Sequence, residues 1–594
     1  MARQCGRWRL RPLGSVGYDN NSSHYQQQEF RGNVAKFLHP LNLAALAVAA
    51  LSVVPVASVL VNVFTPAPSD AWSHLAETVL PDYIVNTLWM IAGVAAGVIS
   101  IGVTTAWLVT MHDFPGRRML EWALILPLAM PAYVMAYAYT DFFQFTGPVQ
   151  TWLREVTGWG PHDYWFPDVR SLGGAVAMFA FTLYPYVYLL ARTAFLERSA
   201  VMLEAARTLG HGPWSCFFRV SLPMARPAVA AGTALALMEA VADYGTVAYF
   251  GVPTFTTGIF RAWFSMGDRV VAAQLAASLL GFVLLIMLME RWSRGRARFY
   301  NTAQREKAHQ RRRLCGVQGA AATFACVMPL VFGFLLPGGI LMHLAVADNG
   351  LHLGSRFFTL AGNSLTLAAV TAVLAVMLSL LLAYNARLHS GPLARSLNRL
   401  VSLGYAVPGI VIAVGVLIPL ARFDNALDAW MRVTFGISTG LLLTGTMTAL
   451  VYAYLVRFLS AAMHTVEAGL AQVRPSMDDA ARSLGVGPWE TLLRIHAPML
   501  ARSLLTAGLL VFVDVMKELP ATLVMRPFDL DTLATQVYNL AADERLAEAA
   551  MPSLAIVAVG LVPLIIVARQ IARTAKPAGV SAAALLPEQG LERA

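Results

Sequence analysis

The chain has 594 residues, of which 57% are hydrophobic and 13% are charged. This composition excludes an ordinary soluble domain and is typical of a polytopic membrane protein. The net charge of +10 would suit a nucleic-acid partner, but the basic residues collect in loops between apolar runs, so we predict a lipid bilayer as partner and no nucleic acid.

A polar arm at 1–36 precedes the first apolar run, whose length predicts a retained anchor rather than a cleaved leader. Twelve runs are long enough to cross about 30 Å of hydrocarbon. They lie at 37–64, 84–110, 118–140, 172–196, 228–250, 271–292, 319–347, 362–386, 397–421, 439–457, 503–525 and 548–571. The sequence therefore predicts an all-α polytopic membrane protein with about twelve transmembrane helices.

Arg and Lys are concentrated in the arm, in alternate loops and in the tail, whereas the other loops contain few. This asymmetry predicts that both termini are cytoplasmic. The basic stretch at 291–314 suits a linker near anionic headgroups, or simply a stop-transfer anchor and tether. The predicted organisation is an arm at 1–36, a first repeat at 37–298 with a cytoplasmic loop at 197–227, a linker at 299–316, a second repeat at 317–573 with a cytoplasmic loop at 458–502, and a tail at 574–594.

The first cytoplasmic loop contains EAARTLGHGPWSCFFRVSLPMARP at 204–227. Glu204, Ala205 and Ala206 are predicted to end a helix, and Gly210 to take the positive φ of a helix stop. Proline at the first position of a helix predicts a short second helix from Pro213. Its Trp214, Phe217 and Phe218 stand at i, i+3 and i+4, which predicts one apolar face, and Pro223 is expected to close it.

Acidic residues follow in the fifth predicted span, where Glu239 and Asp243 are four positions apart and so share one face of a helix. Such groups at membrane depth are costly and often face a substrate route. We expect them to line a translocation path that repels anions and tolerates a cation. The alternative is that they stabilise contacts between helices.

The second half repeats these features at constant offsets. DAARSLGVGPWETLLRIHAPMLAR at 479–502 repeats the loop, and the equivalents of its named residues are Asp479, Ala480, Ala481, Gly485, Trp489, Leu492, Leu493 and Pro498. Asp514 and Glu518 repeat the acids, with Lys517 as a possible partner of Asp514. Asn86 repeats as Asn363, and Pro131, a predicted packing kink, repeats as Pro408.

Six spans in each half return the chain to the same side, so we predict two parallel six-helix repeats related by a pseudo-two-fold axis along the membrane normal. Each cytoplasmic apolar face needs a cover, either the ends of its own spans or a groove in a partner. Two copies about one axis favour a partner that is itself a two-fold dimer.

The loop pattern of EAA, three residues, Gly, nine residues, Ile, any residue and Leu-Pro resembles that of the permease subunits of binding-protein-dependent ABC importers. The first copy has Val220 for the Ile. The second copy has Asp479 for the Glu and Ala497 for the Leu. The chain is similar to a fused, double-length member of that family.

The resemblance implies that helices at about 213–222 and 488–497 dock a homodimeric ATPase, which binds ATP and Mg²⁺, while this chain has no cofactor or metal and is not an enzyme. It also implies a periplasmic solute-binding protein and the bacterial inner membrane. The stretches 242–268 and 515–550 resemble the ferric iron branch. Thiamine, spermidine or putrescine, and phosphonates are the alternative cargoes.

Other classes of protein are less well supported by the sequence. An ion-coupled secondary transporter is an alternative, because repeats and intramembrane acids occur there too. No GK[ST] phosphate loop or HExxH motif is present, which argues against a membrane enzyme. Cys5, Cys216, Cys315 and Cys326 have neither disulfide-framework nor zinc spacing.

Overall fold

A computed structural model describes residues 40–66, 71–294, 311–347, 354–389 and 391–574. The predicted arm, and most of the predicted linker and tail, lie outside these residues. Within them, eleven helices are long and apolar enough to span a membrane, and a twelfth span is a pair of helical segments bent by 92°. The predicted all-α class with about twelve spans is confirmed.

The described residues of the first half form twelve α-helices. They are α1 (Pro40–Val63), α2 (Ala71–Thr78), α3 (Leu80–Met111), α4 (Arg117–Ala123), α5 (Ala132–Phe143), α6 (Pro148–Thr157), α7 (Leu172–Thr208), α8 (Pro213–Cys216), α9 (Leu222–Ala242), α10 (Gly245–Tyr249), α11 (Phe255–Phe260) and α12 (Arg269–Arg294).

The second half follows a similar course with different breaks, because α7 corresponds to two helices there and α5 and α6 correspond to one. Its helices are α13 (Gly316–Leu330), α14 (Leu336–Ala347), α15 (Ser355–Leu388), α16 (Pro392–Ser402), α17 (Gly409–Phe435), α18 (Met447–Leu470), α19 (Pro475–Ser483), α20 (Pro488–Thr491), α21 (Ala497–Met516), α22 (Pro520–Met525), α23 (Leu533–Ala542) and α24 (Leu546–Thr574).

The sequence predicted that Pro131 and Pro408 kink helices. Each instead stands immediately before a helix. Each has an extended backbone at the N-cap, of α5 and α17 respectively, after a 3₁₀ turn at Leu126–Ala129 or Leu403–Ala406. Since proline supplies no N–H and restricts the residue before it, both spans break here. The ninth span therefore occupies 409–435 rather than 397–421.

One small β-element departs from the all-α prediction. Two-residue strands β1 (His112–Asp113) and β2 (Arg312–Arg313) pair in parallel, and the Leu314 N–H donates to the Asp113 carbonyl at 2.9 Å. The end of the linker is thus attached to the loop after α3.

The two halves repeat each other in detailed contacts as well as in the general course of their helices. The Asn86 amide donates to the Pro253 carbonyl at 3.0 Å, and the equivalent Asn363 donates to the Asp531 carbonyl at the same distance. Capping boxes begin α11 at Thr254 and α23 at Thr532. These matched pairs confirm the equivalence predicted from the sequence.

The first span of each half packs against the other half. Helix α1 lies on α16 and α17, and the segment from α13 to α14 contacts α4, α5 and α7. A tyrosine hydroxyl adds a hydrogen bond to each of these contacts between the halves. Tyr452 donates to the Leu51 carbonyl at 2.6 Å, and Tyr139 donates to the Phe332 carbonyl at 2.5 Å. One continuous hydrophobic core therefore includes both halves.

Candidate functional site

The repeated loops form the helix, turn and short helix that the sequence predicted. Helix α7 ends at Thr208, Gly210 has φ of 82°, and α8 begins at Pro213. In the second half α19 ends at Ser483, Gly485 has φ of 76°, and α20 begins at Pro488. We call residues 206–221 and 481–496 the first and second repeated elements.

The short helices do not close at Pro223 and Pro498, which corrects the prediction. Each passes through a π-helical turn, Phe217–Ser221 or Leu492–His496, directly into α9 or α21. Proline is tolerated inside a helix where a local π adjustment accommodates its missing N–H. The repeated elements are therefore continuous with the spans that follow them, so movement of one displaces the other.

Each repeated element exposes three apolar side chains. The first patch consists of Leu209, Trp214 and Phe218, and the second patch of their equivalents Leu484, Trp489 and Leu493. The two tryptophans are 74% and 55% exposed. Phe217 and Leu492, predicted on the same face, instead point inward, and Leu209 and Leu484 were missed although the repeat shares them.

The other predicted docking residues differ in exposure. Ala206 and Ala481 are buried, whereas Asp479 and Ala480 are exposed. Asp479 pairs with Arg482 at 2.7 Å. The side chains of Glu204 and Ala205 lie outside the described part of the structure.

All four predicted path acids line one cavity of about 110 Å³ between the halves. Tyr133 and Tyr186 also line it, together with residues from the break before α5. The Tyr133 hydroxyl is buried and has no hydrogen-bond partner among the described residues. Among the residues that the structure describes, no three His, Cys, Asp or Glu side chains are grouped as a metal site would require.

The sequence predicted that Asp243 and Glu518 share a helix face with Glu239 and Asp514, respectively. The structure shows that they do not. Helix α9 ends at Ala242, and Asp243 accepts a hydrogen bond from the Thr246 N–H at 2.8 Å. Glu518 accepts from the N–H groups of Ala521 and Thr522, each at 3.1 Å. Carboxylates that bind nearby N–H groups compete with helix continuation, so each acid stands two residues before the next short helix, α10 or α22, and accepts hydrogen bonds from the first turn of that helix.

Comparison with known proteins agrees with this geometry. The model of the family described as binding-protein-dependent transport system inner membrane component matches residues 98–298 and again 375–578, together about two thirds of the chain. The chain belongs to this family. It is a double-length, multi-pass permease of an inner membrane.

Two relatives from Haemophilus influenzae resemble the permease over most of its length. The Fe(3+)-transport system permease protein FbpB 2 is 24% identical over 82% of this chain and 89% of its own. The putative ferric transport system permease protein FbpB 1 is 24% identical over 82% and 77%. The sulfate transport system permease protein CysT of Escherichia coli is 29% identical over 36% of this chain and 74% of its own.

The permease contains one cavity residue that the sequence prediction missed. Arg457 NH1 lies 3.0 Å from Glu518 Oε1, and its NH2 lies 3.6 Å from Glu239 Oε2. The predicted span at 439–457 placed Arg457 at the inner end of a helix, but α18 places it near the middle. Lys517 pairs with Asp514 at 2.9 Å, as the alternative prediction held.

Proposed function

We propose that the two patches dock a homodimeric ATPase made by a separate chain, and that ATP-driven closure of that dimer reorients the two halves of the permease. The observation that carries this proposal is the pair of equivalent, exposed apolar patches. An apolar helical surface exposed outside the membrane marks a contact site. Two equivalent sites about one pseudo-two-fold axis suit a two-fold dimer.

Alternating access would follow from the continuity of each repeated element with α9 or α21. Closure of the ATPase dimer would bring the two elements together and move these spans, which carry Glu239 and Asp514 into the cavity. The ATPase can drive this change provided that its two states contact the patches differently. In this arrangement ATP and Mg²⁺ bind to the ATPase, the chain itself catalyses no reaction, and both termini lie in the cytoplasm.

The docking proposal is tested by co-purification of the permease with its proposed ATPase partner. Trp214→Asp combined with Trp489→Asp should leave a membrane-inserted permease that loses the ATPase, because a charge replaces the apolar centre of each patch. Trp165→Asp combined with Trp430→Asp, two exposed tryptophans outside the repeated elements, is the matched control and should retain it. Continued ATPase binding and transport by the first variant would refute the docking role.

We further propose ferric iron, delivered by a periplasmic binding protein, as the cargo. Both relatives that match most of the chain are named as ferric permeases. The cavity supports a cationic cargo, since its four carboxylates outnumber Arg457 and Lys517. The sulfate and molybdenum permeases match at 29 to 33% identity, but over 27 to 36% of the chain.

The cargo is tested with proteoliposomes containing the permease, its ATPase and its binding protein. Uptake of radioactive ferric iron should require ATP and exceed uptake of sulfate, molybdate, thiamine or spermidine. The double variant Glu239→Gln, Asp243→Asn should lower that uptake if these acids line the path. ATP-independent uptake driven by an ion gradient would indicate a secondary transporter, and preference for another solute would refute iron alone.

A further inference from the structure

The two halves contribute unequal charges to the cavity. Glu239 is equivalent to Asp514 and Asp243 to Glu518, so each half supplies two carboxylates. Arg457 and Lys517, in contrast, replace the neutral Thr182 and Ala242 of the first half, and all four of these side chains line the cavity. Both of its cations therefore come from the second half.

The two cations have different partners. Lys517 pairs with Asp514 three positions earlier on the same segment, so this contact stays within the second half. Arg457 contacts Glu518 of its own half and Glu239 of the other half. Of the two cations that line the cavity, Arg457 is the one that connects the halves.

The backbone of the second half accommodates this arginine. A Cβ at Gly409, the first residue of α17, would lie 2.5 Å from Arg457 NH1 and 2.6 Å from Glu518 Oε1. The equivalent residue in the first half is Ala132, where the position of the arginine is taken by Thr182. Glycine at 409 and arginine at 457 therefore belong to one local arrangement that the first half lacks.

The two carboxylates hold Arg457 unequally. The Glu518 side chain is 1% exposed and also accepts hydrogen bonds from two N–H groups and the Thr522 hydroxyl, so its carboxyl group is held in one position. The Glu239 side chain is 31% exposed, and its contact with Arg457 is longer. Water can solvate Glu239 when the contact opens, whereas separating Arg457 from Glu518 would leave a buried charge unpaired.

We propose that Arg457 is a positioning residue that closes the path, a latch that keeps Glu518 and releases Glu239 when the halves separate. This inference rests on the proposed function, because alternating access requires the halves to move apart along the cavity. While the latch is closed, the Arg457 guanidinium occupies the place beside Glu239 that a cationic cargo would take. Once it opens, Glu239 and Asp243 face the path without a cation from their own half and become available to a cationic cargo.

Thiol accessibility in the full-length permease tests the latch without ATPase, binding protein or cargo. The four native cysteines are replaced, Ala242→Cys is introduced as a cavity reporter, and the protein is embedded in nanodiscs so that both faces are open to reagent. Glu239→Gln should raise the rate of modification about tenfold, equal to ~1.4 kcal/mol. Gly409→Ala, which crowds the guanidinium without removing a charge, should raise it too.

Asp514→Asn is the matched control, because it makes the equivalent charge change at the equivalent position but breaks a contact within one half. Its rates with cationic and anionic reagents should shift in opposite directions, without a rise common to both. Cationic and anionic methanethiosulfonates are compared, since opening raises both rates whereas a local charge effect moves them in opposite directions. Parent-like rates in Glu239→Gln and Gly409→Ala, or an equal rise in Asp514→Asn, would overturn the latch. Failure of ATP-driven uptake would bear on the proposed function instead.

Discussion

The two repeated elements expose the same patch but rest on different supports. Beneath the first, Trp107 packs against Phe217 and Phe195, with ring centroids 4.9 and 5.4 Å apart. Beneath the second, Tyr384 replaces Trp107 and donates to the Pro488 carbonyl at 2.7 Å.

An ionic network completes the second support. Arg387 contacts Asp478 at 2.8 Å and donates to the carbonyls of Leu470 and Val473. His496 Nε2 lies 2.9 Å from the other oxygen of Asp478. The first half has Thr110, Leu203 and Ser221 at the positions of Arg387, Asp478 and His496, so this network has no counterpart there.

The unlike supports help to decide whether the residues of each patch are kept by packing within their own half or by contact with a partner. If each patch served only to pack against its own half, a changed support would permit a changed patch. Leu209 and Trp214 are nevertheless identical to Leu484 and Trp489 and remain exposed. Identical exposed residues above unlike supports favour a shared external partner, which is why we propose docking for the patches rather than for the layer beneath them.

Asp478→Ala is expected to have the largest effect on one repeated element relative to the other. The variant removes the carboxylate that Arg387 and His496 both contact, and each hydrogen bond to a charged group contributes about 1.5–3 kcal/mol. Hydrogen exchange should therefore accelerate in the second repeated element and remain unchanged in the first. Asp479→Ala, one position away, breaks an exposed pair that contributes about 0.2–1 kcal/mol, and it should have little effect. Equal acceleration by both variants would contradict a specific ionic support.

Trp107→Ala should produce the converse, with a somewhat smaller effect. Loss of a large aromatic side chain from a packed site costs about 3 kcal/mol, and Trp107 is only partly buried. Hydrogen exchange should accelerate in the first repeated element alone. Tyr384→Phe is the paired change in the second half, where it removes one hydroxyl hydrogen bond worth about 1 kcal/mol. A response in the opposite element would show that the two supports are not independent.

Features of the repeated elements that are fixed by residues close together in the chain could be predicted from the sequence. Features that depend on residues far apart in the chain could not. Glycine and proline fix the turn of each repeated element locally, so its backbone was predictable. The inward rotation of Phe217 was not, because it depends on Trp107, more than one hundred residues earlier in the chain.

The position of Arg457 was missed for a related reason. The apolar residues Leu441–Leu443 suggested that the tenth span had already begun. Asp424 in fact accepts hydrogen bonds from the N–H groups of Leu443 and Thr444, at 3.1 and 2.7 Å, and holds this segment in a loop. Helix α18 therefore begins at Met447, and Arg457 lies near its middle rather than at its inner end.

The smallest effect is expected from substituting the positive-φ glycine at the turn of each repeated element, and it should be equal in both halves. Gly210→Ala and Gly485→Ala each place a side chain at a positive φ, which costs roughly 1–2 kcal/mol, and an added Cβ would meet nothing within 4 Å at either position. Gly212→Ser and Gly487→Ser, two positions on, have the same open surroundings without a positive φ, and serine is a good N-cap for the short helix that follows, so they should not destabilise either element. Hydrogen exchange in the two elements should rise by the same factor for the first pair and not for the second. A larger rise in one half would mean that the unlike supports contribute to the turn itself, and the separation of shared backbone from divergent support would then fail.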